Sequence, residues 1–160
     1  MICIKSSEVI ADIRSAAWLE SELHPELDRH RRHEMADICE KDNMERVWRI
    51  IGLADAQIRI TLARILQRQK YFSPENILCR PDQMQFKLFH SIPPVTVSFI
   101  KEKIHEYIVA AVMADRTDVI IPQAAPVWRE RADLALGALR QAAAVAPLPS
   151  GPVRRTMWPL

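Results

Sequence analysis

The pattern of hydrophobic positions is most regular between Met44 and Gln69. There the apolar residues recur at steps of four, three, four, four and three residues, at Val47, Ile51, Ala54, Ile58, Leu62 and Ile65. This spacing places them on one face of an α-helix about seven turns long. Arginines occupy the opposite face, at Arg49, Arg59, Arg64 and Arg68. We therefore predict a long amphipathic helix that organises the packing of the rest of the chain.

Two shorter helices are predicted ahead of the central one. Ser6 or Ser7 is a suitable N-cap for the first, which ends before Pro25 because the residue preceding a proline avoids the α region. The second begins at Pro25 and is dense in charge, with a weak apolar stripe. Asp42-Asn43 is a capping sequence, and it predicts a break between the second helix and the central helix.

A short β excursion is predicted at about residues 71–94. Met84, Phe86 and Leu88 alternate with mostly polar residues, which is the period of a strand. Residues 75–79 are a candidate partner strand, and Arg80-Pro81-Asp82 is a suitable turn between the two. Because an isolated hairpin is only marginally stable in water, this one must pack on the helices or on another subunit.

Two further helices and an extended terminus complete the pattern. A helix is expected over Val97–Asp115, capped by Thr96 or Ser98, then a connector to Pro122 and a final helix from Pro126 to about Ala146. Residues 147–160 contain four prolines and one glycine, which excludes a helix. The predicted fold is mainly α, a four- to five-helix domain over residues 1–146 with a β-hairpin insertion and an extended C-terminal arm over 147–160.

Length, charge and cysteine content argue for a single domain and against nucleic-acid-binding, disulfide-rich and membrane-spanning proteins. A chain of 160 residues corresponds to one domain, and a net charge of +2 is too small to indicate a nucleic-acid partner. Three widely separated cysteines do not form a disulfide framework, which favours a reducing compartment. No apolar run is long enough to span a membrane, and the acidic residues near the N-terminus do not suit a signal peptide.

The histidines, cysteines and glycines are the residues that could form a catalytic, metal or phosphate site. His30 and His33 lie at helical spacing from Glu34 and Asp37, which suits either a metal site or a solvated face of compensating charges. Nothing local marks a base for a Cys-His nucleophile. With only three glycines there is no glycine-rich phosphate loop. We expect no catalytic residue, no cofactor and no metal, and therefore a protein that is not an enzyme.

A DNA-binding interpretation remains as the alternative. Residues 50–66 can be divided into a helix-turn-helix with Gly52 in the turn and the central arginines facing phosphates. The apolar spacing continues in phase through Gly52, which favours one helix. The alternative function is a small helical DNA-binding or regulatory protein.

Five stretches of the chain carry a resemblance to a known class of protein. They are ADIRSAAWLE at 11–20, RHRRHEMADICEKDNMERVWRIIGLADAQI at 29–58, IHEYIVAAVMAD at 104–115, VWRERADLAL at 127–136 and VRRT at 153–156. Together they cover nearly half the chain. They resemble small proteins encoded in the structural-gene regions of Bacteroides-type phages and prophages, and the order of elements is similar to that of helical head–tail connector (neck adaptor) proteins.

The resemblance implies a non-enzymatic subunit of a homo-oligomeric ring between portal and tail proteins. Its partners would be other copies of itself and those two proteins, with no membrane and with nucleic acid only as DNA passing through the connector channel. The protein would be found in the virion or the host cytoplasm. The hairpin and the arm would reach neighbours through six interface residues: Phe86, Leu88, Phe89, Arg154, Arg155 and Trp158. Deleting residues 147–160 is then expected to impair assembly while leaving the helix content intact.

Overall fold

The computed structural model describes residues 1–67 and 82–147 of the chain. In these ranges it contains two strands and five helices, which confirms the predicted mainly helical fold with a small antiparallel β element. The elements in chain order are β1 (Ile2–Lys5), α1 (Ser6–Leu23), α2 (Arg29–Ala36), α3 (Lys41–Thr61), β2 (Gln83–Phe86), α4 (Pro94–Ile120) and α5 (Ala125–Val145).

The sheet joins the N-terminus to the predicted β excursion. Strand β2 pairs antiparallel with β1, with Ile2 opposite Phe86 and Lys5 opposite Gln83. Ile2, Ile4, Met84 and Phe86 all point into the core, as the alternation of faces along a strand requires. The paired residues lie about half the sequence apart, so the local pattern does not reveal the pairing. The partner predicted for this strand, residues 75–79, lies outside the described residues.

Helix α4 lies at the centre of the domain. It packs against α1, α2, α3, α5 and β1. At about 1.5 Å per residue its 27 residues span about 40 Å, and Ile100, Ile104, Ile108 and Val112 are fully buried along it. The regular apolar spacing of residues 44–69 had predicted this central position for the helix there. That interpretation was wrong, because α3 packs on one side of α4 and covers less of the core.

Helix α3 ends earlier than its apolar spacing predicts. It stops at Thr61, and the chain turns so that the Gln67 N–H donates to the Lys87 carbonyl at 2.8 Å and the Phe89 N–H donates to the Ile65 carbonyl at 3.2 Å. Leu62 and Ile65 are still fully buried within the turn. Their spacing therefore reflects burial and not helix, which is why the predicted helix continued past Thr61.

Helix α4 is longer than predicted at both ends. It begins at Pro94. A proline in the first turn of a helix costs no hydrogen bond, because the N–H groups there have no partner within the helix. It continues to Ile120 through the segment expected to be a connector, and the Thr117 hydroxyl donates back to the Met113 carbonyl at 2.7 Å. Arg116, Thr117 and Ile120 are buried there. The connector prediction was wrong because these residues continue the buried face of the helix.

The predicted break between the second helix and the central one is confirmed, although the predicted cap is not. Helix α2 is capped by Asp28, whose side chain accepts the Arg31 backbone N–H at 2.8 Å. Helix α3 begins at Lys41, with Glu40 at its N-cap position and no side-chain capping hydrogen bond. The Asn43 amide instead donates to the Asp37 carbonyl at 3.3 Å, and so links the two helices.

Candidate interaction surfaces

Of the three interface residues predicted in the β excursion, Phe86 and Leu88 are buried and Phe89 is partly exposed. Phe86 is 0% exposed and Leu88 is 4% exposed, while Phe89 is half-buried. The guanidinium of Arg59 lies 4.7 Å from the centre of the Phe86 ring. The backbone of Leu88 forms an isolated antiparallel β-bridge with that of Leu66. Both apolar side chains are thus occupied within the chain's own core. We no longer expect Phe86 and Leu88 to contact a neighbour.

The other three predicted interface residues, Arg154, Arg155 and Trp158, lie outside the described residues. The structure does describe the start of the arm. The Ser91 hydroxyl donates to the Pro147 carbonyl at 3.1 Å, which holds the end of α5 beside the start of α4.

An open apolar groove lies between α4 and α5, next to the hydrogen bond that joins Ser91 to Pro147. It encloses about 390 Å³ and is lined by Val95, Thr96, Phe99, Ala138, Gln141, Ala142 and Val145. Val95 and Val145 are 76% and 75% exposed, and Phe99 is 41% exposed. Local sequence patterns do not predict this groove, because it results from how two helices distant in sequence meet. It is lined mostly by apolar side chains and lies next to the start of the arm.

The outer face of α3 is a second exposed apolar surface. Arg46, Arg49, Leu53, Ala56, Ile60 and Ala63 are exposed at alternating steps of three and four residues. Leu53 and Ile60 are 66% and 70% exposed at its centre. This is the spacing of a seam along which a second helix packs. It lies opposite the buried stripe from which α3 was predicted.

The central arginines are partly used within the domain. Arg59 forms an ion pair of 2.7 Å with Asp55 and also donates to the Gln85 carbonyl at 3.1 Å. Arg64 donates to the Ala144 carbonyl at 3.2 Å and thereby ties the end of α3 to α5. Gly52 lies inside the continuous helix α3, as the uninterrupted apolar spacing predicts. The turn required by the helix-turn-helix interpretation is therefore not formed at Gly52.

His24 and His33 lie beside carboxylates. His33 lies 3.1 Å from Asp37, and His24 lies 2.7 Å from Glu26 and 3.4 Å from Glu20. The pKa of Glu26 is lowered mainly by a backbone hydrogen bond and, to a smaller extent, by its hydrogen bond with His24. Within residues 1–67 and 82–147, no three His, Cys, Asp or Glu side chains lie together in an arrangement that would hold a metal ion.

Cys39 is a structural thiol. It is 4% exposed, and its Sγ lies 3.9 Å from the Ile10 carbonyl oxygen between α1 and α2. Burial raises the pKa of the thiol, because a thiolate loses hydration in an apolar site. A protonated, enclosed thiol is a poor nucleophile.

Ion pairs join α4 to its neighbours. His105 lies 2.7 Å from Asp12 of α1, and Asp115 lies 3.0 Å from Arg46 of α3. Beside the second pair, Arg116 is only 3% exposed, and its Nε has no hydrogen-bond partner among the described residues. Burial lowers the pKa of Arg116, and the positive charge of Arg46 lowers it further. Sequence analysis missed this buried cation because arginine is usually exposed.

No helix in the described part of the chain is both long and apolar enough to cross a membrane. Comparison of the chain with protein-family models, with curated proteins and with solved structures gave no match.

Proposed function

We propose that this chain is a non-enzymatic assembly protein that forms a homo-oligomeric ring, as a head–tail connector subunit of a tailed phage or prophage. It would act in the virion or the host cytoplasm, between portal and tail proteins. The observation that carries the proposal is the apolar groove formed by Val95, Phe99 and Val145 beside the start of the C-terminal arm. Exposed apolar surface of this kind favours contact with another protein.

The sequence of the arm suits such a groove. Residues 148–160 include Val153, Met157 and Trp158, and large aromatic side chains are favoured anchors at protein interfaces. Thirteen residues reach up to about 40 Å when extended. An arm of this length would be long enough to reach from its own α5 towards the groove of an adjacent subunit, and each subunit of a ring would then donate one arm and receive one.

The experiment is the native mass of the full chain over a range of concentrations, compared with a chain ending at Pro147. We expect the full chain to form a closed oligomer and the shortened chain to associate more weakly, with the same helix content by circular dichroism. A full chain that stays monomeric at every concentration would contradict the proposed ring.

A groove variant tests the role of the exposed apolar side chains. Val95→Asp places a charge at the rim of the groove, and we expect it to weaken association as much as removal of the arm. Val119→Asp is the matched control, because Val119 is 55% exposed on the same helix and does not line the groove. If both valine variants associate like the unmodified chain, the groove does not carry assembly.

A further inference from the structure

The outer faces of α1 and α3 carry the same spacing and opposite charge. On α1, Glu8, Asp12, Ser15, Leu19 and Glu22 are exposed at steps of four, three, four and three residues. On α3 the exposed seam begins with Arg46 and Arg49 and continues through Leu53 and Ile60. Both helices pack against α4 with their buried sides. The outer face of α3 therefore has the apolar spacing of a helix that packs on a second helix, and the outer face of α1 is acidic where the start of the α3 face is basic.

The second half of the α1 face matches the α3 face when the helices run antiparallel. Glu22 then lies opposite Arg49, Leu19 opposite Leu53 and Ser15 opposite Ala56, while Asp12, which pairs with His105, lies opposite Ile60 beyond this stretch. Leu19 and Leu53 are 53% and 66% exposed, so their contact removes apolar surface from water. Antiparallel packing also places the positive end of one helix dipole beside the negative end of the other.

The two charged side chains at one end of this register, Glu22 and Arg49, have no competing ion pair in the described part of the chain. In the described part of the chain, neither Glu22 nor Arg49 forms an ion pair, whereas Arg46 is held by Asp115 and Glu8 by Lys5. A contact that joins two different surfaces of the same chain is heterologous, and it closes into a ring when the rotation between subunits permits.

We infer that α1 of one copy packs antiparallel against α3 of the next copy, with Glu22 beside Arg49 at one end of the contact. This inference rests on the proposed ring and adds a second contact between neighbouring subunits to that of the arm and the groove. The occupant of the exposed α3 seam is a second copy of this chain, because the complementary acidic face is present on α1.

Charge reversal tests the contact by sedimentation velocity of the full chain. Arg49→Glu and Glu22→Arg each place like charges together, and we expect each to weaken self-association at least about tenfold. The double variant restores the opposite charges and is expected to associate again. An equimolar mixture of the two single variants also offers complementary faces at every contact, so it is expected to form oligomers that neither variant forms alone.

The matched controls are Lys101→Glu and Glu130→Arg, which make the same changes of charge at exposed helical positions off both faces. If the unmodified chain assembles and the Arg49 and Glu22 variants assemble like these controls, the α1–α3 contact is overturned and the proposed ring stands. Single variants that fail and are rescued neither by the double variant nor by the mixture also overturn it. An unmodified chain that never self-associates overturns the ring and this contact together.

Discussion

The indole N–H of Trp128 donates to a carboxylate oxygen of Glu20 at 2.8 Å, across 108 residues of sequence. The bond joins the start of α5 to the last turns of α1. Trp128 is 7% exposed and the Glu20 side chain is 14% exposed, so water competes weakly with this bond. The Arg131 guanidinium lies 4.7 Å from the centre of the Trp128 ring. The Trp128–Glu20 bond fixes where α1 and α5 meet.

Loss of the hydrogen bond between Trp128 and Glu20 is expected to destabilise the domain. Glu20→Gln keeps the shape but removes the charge that strengthens the bond, and we expect the free energy of unfolding to fall by about 1 kcal/mol. Trp128→Phe also leaves a gap in the packing and is expected to cost about 2–3 kcal/mol. Urea unfolding followed by circular dichroism measures both. Glu22→Gln on the exposed side of α1 is the control and should change stability by less than about 0.5 kcal/mol.

A glycine in α5 offers a stabilising substitution. Gly137 lies inside the helix, is exposed, and a Cβ added there would meet nothing within 4 Å. Gly137→Ala lowers the conformational entropy of the unfolded chain without a clash. We therefore expect it to raise the free energy of unfolding by about 0.5–1 kcal/mol. Thermal and urea unfolding give the value, and a loss of stability would show that space or backbone at this site is tighter than the structure indicates.

The sequence predicted the helices well because their signal is local. The apolar spacing of α1, α3 and α5 and the proline at the start of α5 are read from neighbouring residues. Phe86 shows the limit, since its alternation with Met84 predicts a strand but not that β1 is the partner. Leu62 and Ile65 kept helical spacing in a turn because both are buried. Neither the groove at Val95 nor the exposure of Leu53 is visible from sequence, because each depends on which elements cover them.

The two described cysteines should differ in reactivity. Cys3 is half-buried, whereas Cys39 is 4% exposed with its pKa raised by burial. Since the thiolate is the reactive form, iodoacetamide at about pH 8 is expected to alkylate Cys39 at least about tenfold more slowly than Cys3. Peptide mapping by mass spectrometry resolves the two sites. In concentrated urea the difference should disappear, and equal rates in the native protein would contradict the enclosed position of Cys39.

The same pKa shift gives an alkaline pH dependence of stability. In the unfolded chain the Cys39 thiol ionises near its ordinary pKa of 9.0, while in the folded chain it stays protonated to higher pH. The unfolded state therefore binds fewer protons above pH 9.0, and the free energy of unfolding falls as the pH rises through the folded pKa. Urea unfolding of the unmodified chain and of Cys39→Ala across this range isolates the effect, because the variant should lack this part of the decline. Identical slopes for the two chains would assign the decline to other groups, such as Tyr107, whose pKa is also raised by burial.

Arg116 is expected to lower the stability of the domain. Its side chain is 3% exposed, its Nε has no partner among the described residues, and Arg46 adds a like charge nearby. Burying a charge without full compensation costs more than its Coulomb attractions return, and apolar replacements of similar size are often neutral or stabilising. We expect Arg116→Met to leave the free energy of unfolding unchanged or to raise it by about 1–2 kcal/mol. Arg116→Ala is the control for packing and should cost about 2 kcal/mol, because it leaves a cavity between α2 and α4. Urea unfolding in low and high salt measures both.

If Arg116→Met is as destabilising as Arg116→Ala, the guanidinium makes favourable interactions with Glu34 and Asp115 that outweigh its burial. If instead the methionine variant is stable but assembles poorly in the native-mass experiment, this arginine serves assembly at the expense of stability.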